Sequence, residues 1–405
     1  MRTREQIRND KNQHKISNGM TTQTLKNWQK VKLGDLAQDV RQLYTPTKDE
    51  KLPYVGLEHI EQQTLHLSGI GRSNETESTK KIFKSGDILF GTLRPYFRKV
   101  TMPKFNGVCS TDIAVIRPTK NSDGNFLKYF IANQDFIDHA SNISSGTRMP
   151  RANWKVLKDQ VWLFPELTEQ KEIGDALVAY DELIENNTKR IKILEQMAQA
   201  IYTERFVKNS KFKNKNVKLS EIVRPQYGYT ESASEDAVGP KYLRGTDINK
   251  NTFIDWSAVP YCKIDDEDKK KYQLRKGDVV IIRMADPGKL GIVEQDVNAV
   301  FASYLIRLEI TDKRIAPYYL FYFLNSDKYQ NYIQGASGGT TRKSASAGVV
   351  TGTEIPIPPM ELVDKFEKDI ALLRTELNYL LMQNSNLRQT RDLLIPKLVT
   401  GEIRV

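Results

Sequence analysis

Lys84-Ser85-Gly86-Asp87-Ile88-Leu89 returns later in the chain as Arg275-Lys276-Gly277-Asp278-Val279-Val280. A Gly-Asp turn followed by an apolar run marks the start of a strand in both places. The echo widens outward in the same order. Val31-Lys32-Leu33-Gly34 matches Val217-Lys218-Leu219-Ser220, and Tyr54-Val55-Gly56-Leu57-Glu58-His59-Ile60 matches Tyr242-Leu243-Arg244-Gly245-Thr246-Asp247-Ile248. Ser144-Ser145-Gly146-Thr147-Arg148 matches Ser337-Gly338-Gly339-Thr340, with Arg342 just beyond. The offset drifts from 186 (31 to 217) to 193 (144 to 337), so the second copy carries small insertions. Such a period is too long for a solenoid and means two copies of one domain-plus-connector unit.

Each copy closes in a helix. The first apolar series is Ile173, Leu177, Tyr180, Ile184, Asn187, Ile191, Leu194, Ala198, Ile201; the second is Phe366, Ile370, Leu373, Leu377, Leu380, Asn384, Leu387, Arg391, Leu394. Both step 4-3-4-3, the spacing of a coiled-coil seam. Asn187 and Asn384 sit on the seam, where a buried amide costs stability and fixes register. Thr168 after Pro165 reads as an N-cap, and Pro396 and Gly401 as the end of the second helix. Between the helices each copy reads as short strands and turns, with β-rich runs at Cys109 to Arg117 and Phe301 to Leu308 and helical stretches at Asn125 to His139 and Pro317 to Tyr332. Tyr318-Tyr319-Leu320-Phe321-Tyr322-Phe323 reads as helix core. The fold class is α+β: two duplicated α+β domains separated by two long helices. The first helix leaves one domain and the second leaves the other, so facing seams require an antiparallel pair, roughly 58 Å long at 1.5 Å per residue. The expected divisions are a polar, basic, disordered tail at 1–27, a domain at 28–165, a helix at 166–210, a second domain at 211–359 and a second helix at 360–405.

Composition bounds the function. The 405 residues include 61 Lys plus Arg against 50 Asp plus Glu, a formal net charge of +11. That surplus favours a polyanionic partner. No apolar run approaches the roughly 18 residues of a transmembrane helix, and Arg2, Arg4, Arg8, Lys11 and Lys15 precede no apolar stretch of the kind a signal peptide needs. Cys109 and Cys262 lack CxxC partners, and the four histidines form no metal-ligand pattern, which points away from zinc and toward a reducing, cytoplasmic setting. There is no GxxxxGK[ST] phosphate loop, and Gly69-Ile70-Gly71 lacks the third glycine of a dinucleotide turn. The only Pro-Pro, Pro358-Pro359, lies between Ile357 and Met360 without the acid or amide and the ring that hold a flipped adenine. Asp265-Asp266-Glu267-Asp268-Lys269 reads as a solvated charge run in a loop rather than a nuclease centre. Catalysis by this chain alone is not expected. A self-contained methyltransferase or nuclease, or a coiled-coil adaptor without a DNA role, are the alternative readings.

The ordered duplicate set resembles the DNA specificity subunits of type I restriction-modification systems. The residues that carry the likeness are Trp28 to Asp35, Lys84 to Leu89, Leu93-Arg94-Pro95-Tyr96, the two Ser/Gly-Thr loops, the proline-rich helix entries Phe164 to Lys171 and Ile355 to Glu361, and Pro396 to Ile403. They span about 28–405. Leu362-Val363-Asp364 departs from the pattern at the second helix entry. The resemblance implies that each domain is a target recognition domain reading one half of an asymmetric, bipartite site in double-stranded DNA. The helices are then a spacer and a dock for two modification (methyltransferase) subunits. It implies no cofactor on this chain: S-adenosylmethionine belongs to the modification subunits, which methylate adenine, and ATP and Mg to the restriction (motor-nuclease) subunits. No membrane partner is implied.

Base edges are read by forked or amide side chains, and phosphates are held by any cation. In the first domain the candidates are Arg41, Tyr44, Arg94, Tyr96, Arg98, Lys99, Thr147, Arg148 and Arg151. In the second they are Arg224, Gln226, Tyr227, Tyr229, Arg283, Lys289, Thr340, Thr341, Arg342 and Lys343. A solvated surface charge is the plain alternative for each lone arginine. The two Gly-Thr-Arg loops weigh against it, because both copies place the same residue types at one equivalent point.

Overall fold

The computed structural model describes residues 27–47, 49–75, 77–144, 149–208, 216–249, 251–338 and 343–405. The 1–27 tail, all but its last residue, lies outside the described residues. The chain divides into two compact units, Met1–Glu185 with Asn386–Val405, and Asn186–Ser385.

In the first unit β1 (Gln29–Lys32) pairs with β11 (Val161–Phe164). A four-stranded sheet runs in the order β2 (Ala37–Asp39), β10 (Ile113–Pro118), β7 (Ile88–Gly91), β8 (Val100–Thr101). A five-stranded sheet runs in the order β3 (Leu43–Tyr44), β6 (Lys80–Phe83), β9 (Gly107–Ser110), β4 (Pro53–Val55), β5 (Gly71–Arg72), with β4 and β9 parallel. The second unit repeats this plan. Its β12 (Asn216–Lys218) pairs with β19 (Glu354–Pro356). Its four-stranded sheet is β13 (Val223–Tyr227), β18 (Leu305–Ile310), β15 (Val279–Ile282), β16 (Leu290–Ile292), and the parallel pair is β14 (Lys241–Leu243) with β17 (Ala299–Phe301). The duplication seen in the sequence is thus a duplication of strand order.

The Gly-Asp turn explains why its motif recurs. Gly86 and Gly277 have φ of 88° and 94°, a left-handed conformation that an L side chain resists. Asp87 then accepts the Lys84 N–H at 2.7 Å and binds Arg117 of β10 through two contacts of 2.7 Å. Asp278 accepts the Arg275 N–H at 2.8 Å and faces Arg307 of β18 at 3.4 Å. One carboxylate closes the turn and ties it to the neighbouring strand in each copy.

The short helices are α1 (Leu33–Leu36), α2 (Gly124–Ala132), α3 (Gln134–Asn142) and α4 (Trp154–Leu157) in the first unit. In the second they are α6 (Leu219–Ile222), α7 (Asp266–Tyr272), α8 (Pro317–Leu324), α9 (Asp327–Ala336) and α10 (Ala347–Val350). The two long helices are α5 (Leu167–Tyr202, followed by a π turn to Val207) and α11 (Met360–Val399). The expected helical stretches each split in two, at Asn133 and at Asn325–Ser326. The acidic run forms α7 rather than a loop: Asp265 caps it, carboxylates fill its first turn and lysines its last, which suits the helix dipole.

Within the second unit Asn187 donates to Asn384 at 3.1 Å, Arg190 meets Glu376 at 2.6 Å, and Arg205 meets Asp369. Residue numbers rise on one helix as they fall on the other, so the segments are antiparallel, and the two asparagines of the seam find each other. Within the first unit Ile173 and Leu177 share a core with Ile395, Leu398 and Val399, the same direction. Each helix also joins its domain's core: Ile173 belongs to one core with Phe126, Phe130 and Phe164, and Phe366 to the other with Tyr319 and Tyr322, the Tyr322 ring lying 5.9 Å from that of Phe366. Gly174 permits close approach, since a Cβ there would lie 2.7 Å from Asp123 Oδ1 at the N-terminus of α2.

Three expectations are corrected. α5 begins at Leu167, so Thr168 lies inside its first turn; buried Gln170 fixes the entry by accepting the Asp123 N–H at 2.9 Å and donating to the Pro165 carbonyl at 3.0 Å. Pro396 lies inside α11. So near the helix end it removes one hydrogen bond, and the turn continues until Gly401 at φ 76°. On the seam, Tyr180, Leu194, Leu373 and Leu387 are only half-buried, whereas Arg391 is fully buried.

Candidate nucleic-acid interface

In each unit one backbone joint gathers segments that are distant in sequence. Thr92 N–H donates to the Asp112 carbonyl at 2.8 Å, Leu93 bridges Arg151, Arg94 N–H donates to Pro150 at 2.8 Å, and Ala152 N–H donates to Thr92 at 2.9 Å. In the second unit Arg283 N–H donates to Tyr304 at 2.9 Å, Met284 bridges Ser344, Ala285 N–H donates to Lys343 at 3.0 Å, and Ala345 N–H donates to Arg283 at 2.8 Å. The loop after Leu93 and the segment following the Gly-Thr-Arg loop are thereby clamped together in both copies. Arg94 and Ala285, at equivalent points, have φ of 52° and 69°. Such left-handed non-glycine residues are costly, persist where the surroundings over-determine them, and cluster at functional sites.

These pairings carry the offset of 191 at the Gly-Asp turn (86 to 277) into the loop that follows. Ala285, not Arg283, stands where Arg94 stands; Arg283 stands where Thr92 does. Lys289 matches Lys99, because the carbonyl of each accepts from the same frame: Gly91 N–H donates to the Lys99 carbonyl at 2.8 Å and Ile282 N–H to the Lys289 carbonyl at 2.8 Å.

The first-unit candidates fall into two groups. Arg94 and Tyr96 are exposed on the turn at Pro95–Phe97. Arg41 and Arg151 are exposed and line one concavity with Lys81, Thr92 and Trp154. Arg41 pairs with Asp39 at 2.6 Å. Tyr44 donates to Glu50 at 2.5 Å, and that bond raises its pKa. Arg98 and Lys99 turn inward instead. The Arg98 guanidinium donates to the Ala132 carbonyl at 2.6 Å and lies 3.6 Å from Asp392, and burial pulls its pKa down. Lys99 donates to the Leu57 carbonyl, and burial lowers its pKa too. Thr147 and Arg148 lie outside the described residues.

In the second unit Tyr227, Arg283 and Lys343 converge on the joint. The Arg283 guanidinium sits 4.9 Å from the Tyr227 ring centre and 3.4 Å from the Ser303 carbonyl. The Tyr227 hydroxyl accepts the Ala347 N–H at 2.9 Å, and Lys343 donates to Gln334 at 3.2 Å. Lys289 is exposed. Arg224 is exposed and 3.7 Å from Glu309. Gln226 is held internally, accepting from Arg307 and donating to the Lys271 carbonyl at 3.1 Å. Tyr229 packs on Tyr272 with ring centres 5.4 Å apart, and burial raises its pKa. Thr340, Thr341 and Arg342 lie outside the described residues. Sequence reasoning missed Lys81, which reaches the concavity from β6, and Asp112 and Tyr304, whose carbonyls close the joint; none belongs to a repeated motif.

Among the described residues no group of three or more His, Cys, Asp or Glu could hold a metal ion, and no helix is long and apolar enough to cross a membrane. Cys109 and Cys262 are buried free thiols, with burial pushing their pKa up to about 12 and about 11.

Two α+β copies joined by long helices, each with a clamped, Arg-bearing loop joint, define a duplicated DNA-specificity architecture. The family model described as type I restriction modification DNA specificity domain matches residues 25–196 and again 211–380, and the chain belongs to that family. It is a DNA specificity subunit of a type I restriction-modification system, a non-catalytic component of the enzyme. It is 24% identical to the specificity subunit of the type I restriction enzyme MjaIX from Methanocaldococcus jannaschii, over 94% of each chain. It is 31% identical to the EcoDI specificity subunit from Escherichia coli, over 44% of this chain and 41% of that one. Its fold matches the crystal structure of a type I S subunit from M. genitalium at 18% identity and a TM-score of 0.57, covering 94% of this chain and 97% of that one.

Proposed function

We propose that the first unit reads one half of a bipartite DNA site and the second unit the other. The observation that carries this is the repeated joint: one backbone frame, present twice, bearing different side chains. In the first unit Arg41, Tyr44, Arg94, Tyr96 and Arg151 contact DNA, and Thr147 and Arg148 are assigned the same role from the sequence alone. In the second unit Arg224, Tyr227, Lys289 and Lys343 contact DNA, and Thr340, Thr341 and Arg342 are likewise assigned from the sequence. Arg98, Lys99, Gln226, Tyr229 and Arg283 act by holding these surfaces in shape. The net charge of +11 supplies the general attraction to phosphate.

The helices α5 and α11 act as the spacer between half-sites and the dock for two modification subunits. Exposed Ile193 and Met197, four apart on α5, and Leu372, Tyr379 and Met382, seven and three apart on α11, all in the second unit, support docking, since that spacing lines them up on one face of each helix and a continuous exposed apolar stripe marks a partner contact. S-adenosylmethionine acts on the modification subunits, and ATP and Mg on the restriction subunits. The working compartment is the cytoplasm, where the DNA is.

A salt titration of DNA binding tests this directly. Affinity for matched duplex should fall steeply with salt, and discrimination against unmatched duplex should remain. Equal affinity for every sequence would refute the reading.

A further inference from the structure

The internal duplication separates scaffold from variable parts. The aspartate that closes the strand-starting turn returns, Asp87 as Asp278, each time held by an arginine of the neighbouring strand. The backbone joint returns too. The side chains on the joint do not: Thr92, Asp112 and Arg151 in the first unit stand where Arg283, Tyr304 and Ser344 stand in the second. The ion pair between Arg151 and Asp112 is therefore not something the frame requires. Its members are 51% and 32% exposed, and an exposed pair adds little to stability.

Resting on the proposal that this unit reads DNA, we infer that Asp112 and Arg151 form one base-reading unit, in which Asp112 is a positioning residue that aims the Arg151 fork at a base edge. Asp112 Oδ1 accepts from Arg151 Nε at 3.2 Å and from Nη2 at 2.9 Å. That engages one edge of the guanidinium and leaves the Nη1–Nη2 edge as a two-donor fork, the shape that matches guanine O6 and N7. Both members are fixed by backbone: Asp112 through its carbonyl, which accepts from Thr92 N–H and from Thr92 Oγ1 at 2.7 Å, and Arg151 through its bridge to Leu93. A carboxylate beside the arginine repels phosphate, so the pair is a poor backbone clamp and a directed reader of bases.

The test uses the full chain assembled with its modification subunits and a duplex library randomised across the half-site of the first unit. Asp112→Asn keeps the shape and removes the charge; Arg151→Lys keeps the charge and removes the fork. Both variants should lose discrimination at the same single base pair, by roughly 5- to 100-fold. Asp112→Asn should bind unmatched DNA at least as tightly as the wild type. The preference at the other half-site and the melting temperature should be unchanged. If Arg151→Lys relaxes one base pair and Asp112→Asn relaxes none, the positioning role fails while DNA reading stands. If both variants weaken all duplexes alike or melt early without changing any preference, the pair is structural and the inference is overturned. A wild-type complex with no preference in that half-site would defeat the underlying reading together with this one.

Discussion

Asp181 and Arg374 stand 193 residues apart at the same point of the two long helices and carry opposite charges, both buried against their own domain. Asp181 meets Lys128, the Tyr129 hydroxyl at 2.6 Å and Arg391 at 2.6 Å. Arg374 meets both carboxylate oxygens of Glu294, at 2.7 and 2.6 Å. The two copies use the same joint between helix and domain and reverse its polarity.

Removing one partner of such a pair leaves a desolvated charge. Asp181→Asn and Glu294→Gln are each expected to cost about 3–5 kcal/mol, read by thermal or denaturant unfolding. Burial works against the Asp181 charge, but Lys128 and Arg391 outweigh it and hold its pKa down at about 2 against an ordinary 3.8. Its contribution is therefore full above pH 3.8 and lost as pH falls toward 2. Asp181→Asn should flatten acid unfolding in that window.

Glu367 gives the opposite slope. Burial pushes its carboxyl up to about 7 from 4.5, while it accepts the Tyr319 N–H at 2.8 Å. The folded state holds a proton that the unfolded state has lost between those values, so this residue lowers stability as pH rises from 4.5 to 7. Glu367→Gln keeps an acceptor without the charge. It should stabilise the protein at pH 8 by on the order of 2–3 kcal/mol and leave it unchanged at pH 4. Equal stability at pH 8 would show that the carboxylate is not strained there.

The repeat, the two seams and the strand-starting turns were legible in the sequence because each rests on local chemistry: a period of 3.5, or a glycine followed by a capping aspartate. Arg391 fell on the apolar series by its spacing, and only the structure supplies its partner Asp181, 210 positions away. Nor does sequence tell an outward arginine from an inward one. Arg94 and Arg98 flank one short turn, yet the second points at the Ala132 carbonyl because α2 ends beside it. Asp112 was invisible for the same reason, since its role depends on a pairing across the joint.

Lengthening the helices should lengthen the gap between half-sites. One heptad inserted after Asn187 and one after Leu380 preserves both seams. The added length is about 10 Å, or about three base pairs at 3.4 Å each, with a rotation of roughly 100°. A library of gaps should select a longer one with both half-sites unchanged. An unchanged gap in a folded, DNA-binding variant would remove the spacer role.

The Gly-Thr-Arg loops should act one half-site each. Arg148→Ala is expected to relax one half and Arg342→Ala the other, each by about 1–3 kcal/mol, measured by competition binding. A uniform loss on all duplexes would make both residues phosphate contacts.

The claim that one unit reads one half-site is tested most directly by replacing residues 28–165 with the matching segment of a related specificity subunit and mapping methylated adenines made by the assembled complex. The account predicts a motif in which one half is new, while the other half and the gap are those of the parent. A motif changed in both halves, or in neither, would contradict it.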